Sequence, residues 1–354
     1  MTVLFFLAGL TFLIAGAEAL VRGASRMAAV LGISPLVIGL TVVAFGTSSP
    51  ELAVSIKSAL SGEPNLAVGN VVGSNIFNVL FILGLSALIT PLVVSKQLVR
   101  SDVPVMVVLS FVVLVLSLNG SFSRTEGFLL IGGLIVYFWY LFYQSQEESV
   151  KSKNNLQTEG DKKSIGFWAK NAGLFLGGIA LLIIGSRWLV DSAVIVADYL
   201  GVSELVVGLT ILAAGTSLPE VVTSVIAALR GEREIAVGNV VGSNIFNIMG
   251  VLGITSIAAP AGIEVSSALT GFDIPVMVVA AFACLPIFFT GGMISRQEGV
   301  LLLGYYIAYT LYLILAASHH DALAGFNIVM MYFVIPITIA TISIVVLREI
   351  SARK

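Results

Sequence analysis

Low-charge apolar runs alternate with short polar or Pro/Gly-rich breaks along almost the whole chain. A helix needs about 20 apolar residues to cross the hydrocarbon core of a bilayer. Eleven runs qualify, at residues 3–21, 33–60, 65–89, 103–119, 125–143, 170–190, 203–229, 234–258, 274–291, 297–317 and 326–347. The first opens on Met1-Thr2-Val3 without a positive flank, so it reads as a retained span and not a cleaved leader.

The one long polar stretch, Gln144 to Ser164, has the composition of a cytoplasmic linker and divides the chain into halves. Aligned at an offset of 169 residues, Gly39–Asn78 and Gly208–Asn247 are identical at 26 of 40 positions. Both copies hold Gly-Thr-Ser-x-Pro-Glu (Gly46–Glu51, Gly215–Glu220) and Ala-Val-Gly-Asn-Val-Val-Gly-Ser-Asn-Ile-Phe-Asn (Ala67–Asn78, Ala236–Asn247). Weaker matches pair Asp102-Val-Pro-Val-Met with Asp273-Ile-Pro-Val-Met, and Glu126-Gly127 with Glu298-Gly299. Five spans per copy is an odd number, so equivalent helices cross in opposite directions, as in many secondary transporters. The predicted fold class is an all-α membrane protein: two inverted five-helix repeats (10 transmembrane helices) plus an eleventh, C-terminal transmembrane helix. The predicted units are a first repeat over 1–143, a linker over 144–166, a second repeat over 167–317, and an extra span with a cytoplasmic tail over 318–354.

Composition narrows the function classes. Of 354 residues, 58% are hydrophobic and 11% charged, against about 25% charged in soluble domains. A soluble globular protein is therefore excluded. A net charge of −2 offers no basic surface for nucleic acid. The single cysteine, Cys284, sits among apolar neighbours and reads as a packing residue. Lys and Arg in short loops stay on the cytoplasmic side. With the N-terminus outside and the C-terminus inside the cell membrane, every Lys and Arg except Lys57, Arg124 and Arg187 falls at a cytoplasmic position.

Glu51 and Glu220 lie inside predicted spans, where an uncompensated carboxylate costs several kcal/mol. Lys57 is the one basic residue inside the spans of the repeated blocks Gly39–Asn78 and Gly208–Asn247, and its counterpart is Ile226, so a bound cation is the favoured partner. Pro50 and Pro219 remove the amides that would bond the carbonyls of Gly46 and Gly215. Oxygens around Ala44–Thr47 and Ala213–Thr216 thereby become candidate ligands. Thr47 and Ser48 precede Glu51 on one predicted helical face, and Thr216 and Ser217 precede Glu220 in the same way. Asn70, Ser74 and Asn78 form an i, i+4, i+8 stripe, repeated by Asn239, Ser243 and Asn247. Taken singly such residues serve as interhelical glue, with the neighbouring Gly69, Gly73, Gly238 and Gly242 as close-packing positions. Doubled beside two intramembrane glutamates, they point to ligands. An all-oxygen inventory without His or Cys suits hard cations such as Ca2+ and Na+. Two glutamates carry about −2, neutralised by one divalent ion, or overcompensated by one positive charge if three monovalent ions occupy the same cluster. His319 and His320 lie beyond the repeats, so no base reaches Ser48 or Ser217; an enzyme is not expected, nor any cofactor, nor an obligatory protein partner.

At these motifs the sequence resembles the cation/calcium antiporter superfamily, in particular its prokaryotic sodium/calcium exchangers. The resemblance spans the ten repeat helices. It implies four clustered ion sites, one for Ca2+ and three suited to Na+, opened alternately to either side as the first and sixth spans slide across the other eight. Carried over by position, the calcium site comprises the Glu51 and Glu220 carboxylates with the carbonyls of Thr47 and Thr216. The flanking sodium sites take Ala44, Thr47 and Ser74 with Glu51, and Ala213, Thr216 and Ser243 with Glu220, and the central position lies between Asn78 and Asn247. Several relatives, potassium-dependent exchangers among them, carry Asp at one of these last two positions. Both are Asn here, which weighs against potassium co-transport. The implied activity is exchange of Na+ for Ca2+. The rival readings are a Ca2+/H+ antiporter of the same superfamily and a K+-dependent exchanger.

Overall fold

The computed structural model describes residues 1–153, 164–201, 207, 210, 211 and 213–352. Its long elements are helices: α1 Thr2–Leu31, α2 Pro35–Thr47, α3 Ser49–Leu60, α4 Pro64–Ile89, α5 Leu98–Ser117, α6 Arg124–Lys153, α7 Ile165–Tyr199, α8 Leu218–Leu229, α9 Arg233–Ala258, α10 Leu269–Phe289, α11 Arg296–Ala317 and α12 Ala322–Leu347. Among the described residues, nine of these helices are long and apolar enough to cross a membrane, and α2 with α3, bent by 44° at their junction, makes a tenth. The chain is a multi-pass membrane protein. The run expected over 203–229 lies partly outside the described residues; its second half is α8, preceded by the short helix Ala213–Gly215.

Three helices differ in their bounds from the sequence reading. Helix α6 continues to Lys153, well into the stretch read as linker, because Gln, Glu and Lys are good helix formers and polarity alone does not end a helix. Helices α1 and α7, of 30 and 35 residues, outrun their apolar runs. At 1.5 Å per residue they measure about 45 and 52 Å, longer than a core of about 30 Å, and must tilt or protrude.

The two equivalent helices α1 and α7 lie against one another, antiparallel. Gly9 meets Gly185, Gly16 meets Gly178 and Gly23 meets Asn171, so residue numbers rise along one helix as they fall along the other. A Cβ on Gly16 would stand 2.8 Å from the Gly178 carbonyl oxygen. Glycine therefore permits backbone contact that no other residue allows, the small-residue packing on which membrane helices rely. Glu126 and Glu298, paired in the sequence, prove to be helix caps. Glu298 accepts from Ser295 N at 2.7 Å and Glu126 from Ser123 N at 2.6 Å, each at the start of a helix. The glycines that follow them, Gly127 and Gly299, face Gly253 and Gly84 of the opposite repeat.

Short antiparallel strands tie the repeats further: β1 Leu92–Val93 pairs with β4 Met293–Ile294, and β2 Ser121–Phe122 with β3 Ile263–Glu264. Glu18 pairs with Arg22 and, at 2.7 Å, with Arg230. Arg187, its counterpart in the second repeat, is not its partner. Ser25 donates to Glu232 at 2.6 Å. These contacts fasten α1 to the turn between α8 and α9.

The core belongs to α9 and α4, whose most apolar stretches are 89% and 72% buried against 6% in α11. Both carry the second repeated motif. Gly238 and Gly242 do pack closely, against Leu36 and Leu40 of α2, whereas a Cβ on Gly69 or Gly73 would meet no neighbour within 4 Å among the described residues.

Gly16→Val should force α1 from α7 and cost about 1–3 kcal/mol or more, the range for overpacking. Thermal unfolding in detergent is expected to drop by several degrees, whereas Gly304→Ala, on the exposed side of α11, should leave it unchanged.

Candidate ion-binding site

Each Gly-Thr-Ser-x-Pro-Glu segment breaks its helix at the serine. Ser48 and Ser217 have φ/ψ of −82°/9° and −88°/7°, outside the helical basin. Pro50 and Pro219 then fall in the first turn of the next helix, where a missing amide is tolerated. The same turn places Glu51 and Glu220 near a helix N-terminus, whose unpaired amides favour an anion.

The break corrects the expectation that Thr47, Ser48 and Glu51 share a helical face. Ser48 Oγ instead donates 2.8 Å across the repeat interface to Glu220 Oε1, and Ser217 Oγ donates 2.8 Å to Glu51 Oε1. Ser217 also lies 3.1 Å from Ser74 Oγ. The threonines cross as well: Thr47 Oγ1 donates to Asn239 Oδ1 at 3.1 Å and Thr216 Oγ1 to Asn70 Oδ1 at 3.2 Å. Each glutamate is thus held by the serine of the other repeat. Both are 0% exposed, as are Asn78, Asn247 and Ser243.

Asn70 and Asn239 complete the cage from outside. Asn70 Nδ2 donates to the Glu51 carbonyl at 3.1 Å and to Ser55 Oγ at 2.9 Å; Asn239 Nδ2 donates to the Glu220 carbonyl at 3.5 Å and to Ser224 Oγ at 2.9 Å. Asn78 and Asn247 each begin a π-helical turn, Asn78–Leu83 and Asn247–Leu252. Such widened turns concentrate at functional sites. The π turns at Leu98–Asp102 and Leu269–Asp273 precede Pro104 and Pro275 and accommodate those rings, whereas the two asparagine turns precede no proline.

Among the described residues, Glu51 Oε2, Glu220 Oε2, Asn78 Oδ1, Asn247 Oδ1 and Ser243 Oγ are buried without a hydrogen-bond partner. Four of these five are carboxylate or amide oxygens able to accept. They come in equivalent pairs from the two repeats, and their chemistry fits a hard cation.

The backbone oxygens are treated unequally. Ser186 Oγ of α7 donates 2.7 Å to the Gly215 carbonyl, one of the two that proline leaves without a helical donor. Its counterpart in α1 is Ala17, which has no hydroxyl. Of the predicted backbone ligands, Ala44 O accepts from Ser48 N at 3.0 Å, and Thr47 Oγ1 lies 3.3 Å from the same oxygen. Ala213 lies in the short helix Ala213–Gly215, and Thr216 follows it directly.

The sequence profile described as "Sodium/calcium exchanger protein" matches residues 1–143 and 170–315. The chain belongs to the sodium/calcium exchanger family. It is accordingly a secondary transporter of the cation/Ca2+ exchanger type and not an enzyme. The exchanger is 34% identical over 339 residues to the sodium/calcium exchanger MaX1 of Methanosarcina acetivorans, covering 86% of this chain and 96% of that one. It is 38% identical over 288 residues to the inner membrane protein YrbG of Escherichia coli, covering 78% and 86%. A crystal of the sodium-calcium exchanger NCX_Mj soaked with Na+ and Ca2+ shares its fold with a TM-score of 0.73 at 30% identity, over 90% of this chain and 98% of that one.

Several residues of the exchanger's site went unread in the sequence. Ser55, Ser224, Asn75 and Asn244 are identical between the two copies, which was the available signal. Ser186 occurs in one copy only and left none.

Ser48→Ala removes a hydrogen bond to a carboxylate, a contact worth about 1.5–3 kcal/mol. The ion-free protein should melt at a lower temperature than wild type in detergent, and Ca2+ should recover part of the difference; equal melting without Ca2+ would remove the serine from this role.

Proposed function

We propose that the chain exchanges Na+ for Ca2+ across the cell membrane by alternating access. The observation that carries this reading is the pair of buried glutamates, each held by a serine of the opposite repeat, with one oxygen of each glutamate and the Oδ1 atoms of Asn78 and Asn247 buried without partners. Glu51 and Glu220 bind Ca2+ with the carbonyls of Thr47 and Thr216. Na+ ions occupy flanking positions formed by Ala44, Thr47 and Ser74 with Glu51, and by Ala213, Thr216 and Ser243 with Glu220. Ser48 and Ser217 line the cluster, and Asn78 and Asn247 flank its centre.

The three sodium positions implied by the family resemblance set the ratio. Two carboxylates balance one Ca2+, and about three Na+ leave one positive charge over, so neither load crosses as a bare dianion. Exchange at that ratio is electrogenic. With Asn at both central positions there is no third carboxylate to hold K+, and transport runs without it. The N-terminus lies outside and the C-terminus inside, following the positive charges, and α12 is an eleventh crossing at the periphery.

Proteoliposomes test this directly. Sodium-loaded vesicles should accumulate Ca2+ equally with and without K+, faster when an ionophore sets the interior positive, since each cycle then exports net positive charge. Acid-loaded, sodium-free vesicles should not accumulate it; uptake driven by acid alone would establish the Ca2+/H+ antiporter instead. Glu51→Gln or Glu220→Gln keeps side-chain size and removes charge, and should lower exchange at least about 100-fold in protein that still inserts, in line with the loss of several kcal/mol of ion binding.

A further inference from the structure

Behind Asn78 and Asn247 lies a second pair of asparagines that contributes no oxygen to the cluster of unpartnered acceptors. Asn75 and Asn244 are 1% and 2% exposed and face each other across the repeat interface. Asn75 Nδ2 donates to the Asn244 carbonyl at 3.4 Å, and Asn244 Nδ2 to the Asn75 carbonyl at 3.3 Å. The remaining amide protons reach sulfur: Asn75 Nδ2 lies 3.6 Å from Met277 Sδ on α10, and Asn244 Nδ2 3.5 Å from Met106 Sδ on α5. With both amide protons of each residue directed, its Oδ1 can only accept. Asn78 Nδ2 donates 3.0 Å to Asn244 Oδ1, and Asn247 Nδ2 donates 3.1 Å to Asn75 Oδ1.

An asparagine amide is ambiguous in shape, because turning it by 180° exchanges an acceptor for two donors with little change in volume. Beside two carboxylates, a turned amide would compete with a cation by offering N–H groups in its place. The contacts from Asn75 and Asn244 remove the ambiguity: they engage the NH2 end of each neighbour and leave Oδ1 of Asn78 and Asn247 as the unpartnered atom.

We propose that Asn75 and Asn244 are positioning residues that clamp the amides of Asn247 and Asn78 so that only carbonyl oxygen is offered to the transported cation. The clamp rests on the reading of Asn78 and Asn247 as ion ligands. It is crossed: α4 orients the ligand on α9, and α9 orients the ligand on α4. The π-helical turns start at Asn78 and Asn247, so on each helix the clamping asparagine precedes a change in helical winding and the asparagine held from the opposite helix begins it.

The test is a double-mutant cycle on the full chain in proteoliposomes, with half-saturating Ca2+ for sodium-driven uptake and Ca2+-induced thermal stabilisation in detergent as its two readouts. Asn244→Ala should raise half-saturating Ca2+ about fivefold to tenfold, the equivalent of one net hydrogen bond. In the Asn78→Asp background the same change should have less than about a twofold effect, because a carboxylate presents oxygen at both ends and needs no clamp. Asn75→Ala with Asn247→Asp repeats the cycle from the other side and serves if Asn244→Ala does not fold. Unchanged affinity in both alanine variants overturns the clamp, as does a loss that persists undiminished in the aspartate backgrounds. Asn78→Ala separates the clamp from the reading beneath it: if that variant binds Ca2+ as wild type does, Asn78 is no ligand, whatever Asn244 does.

Discussion

Two carboxylates sealed from water, with neither Lys nor Arg paired to them among the described residues, are the constraint around which this molecule is organised. Such groups cost several kcal/mol each in a membrane interior. The chain meets part of the cost with helix N-termini beneath each glutamate and a serine from the opposite repeat on one oxygen, and leaves the second oxygen without a hydrogen-bond partner among the described residues. Neither repeat can do this alone, since the serine that serves each carboxylate lies in the other half. The site is therefore completed only where the two repeats meet.

The packing around the site follows from that need for cross-contact. Backbones approach closely where glycine faces glycine between repeats, at Gly16 with Gly178, Gly84 with Gly299 and Gly127 with Gly253. Strand pairs add main-chain bonds between the same halves. The most buried helices, α4 and α9, carry the amide-rich motif, and α11 and α12 are the least buried of the described spans.

Much of this was legible in the sequence because doubling makes function visible. Glu51 and Glu220, the serines and threonines before them, and the stripe from Asn70 to Asn78 all stand out once the halves are aligned. Partnership was not legible. A helical wheel places Ser48 beside Glu51, and only the break at Ser48, which depends on the neighbouring proline taking a first-turn position, turns that hydroxyl toward Glu220. Equivalence likewise gave no partner for Glu18: alignment pairs it with Arg187, but the fold brings it to Arg230. Helix ends in the polar stretch were missed for a simpler reason, since glutamine, glutamate and lysine sustain a helix that apolar counting cannot see. Ser186 lay beyond reach because its counterpart is alanine.

That last difference has a thermodynamic consequence. A machine whose halves were perfect copies would have two end states of equal energy and no posture of rest. Here one proline-freed carbonyl, at Gly215, is tethered by a hydroxyl from α7, and the matching place in α1 has only a methyl group. Moving the second break out of this arrangement would give up a hydrogen bond that Ala17 cannot supply to the first, so the two breaks are chemically distinct despite their matching sequences.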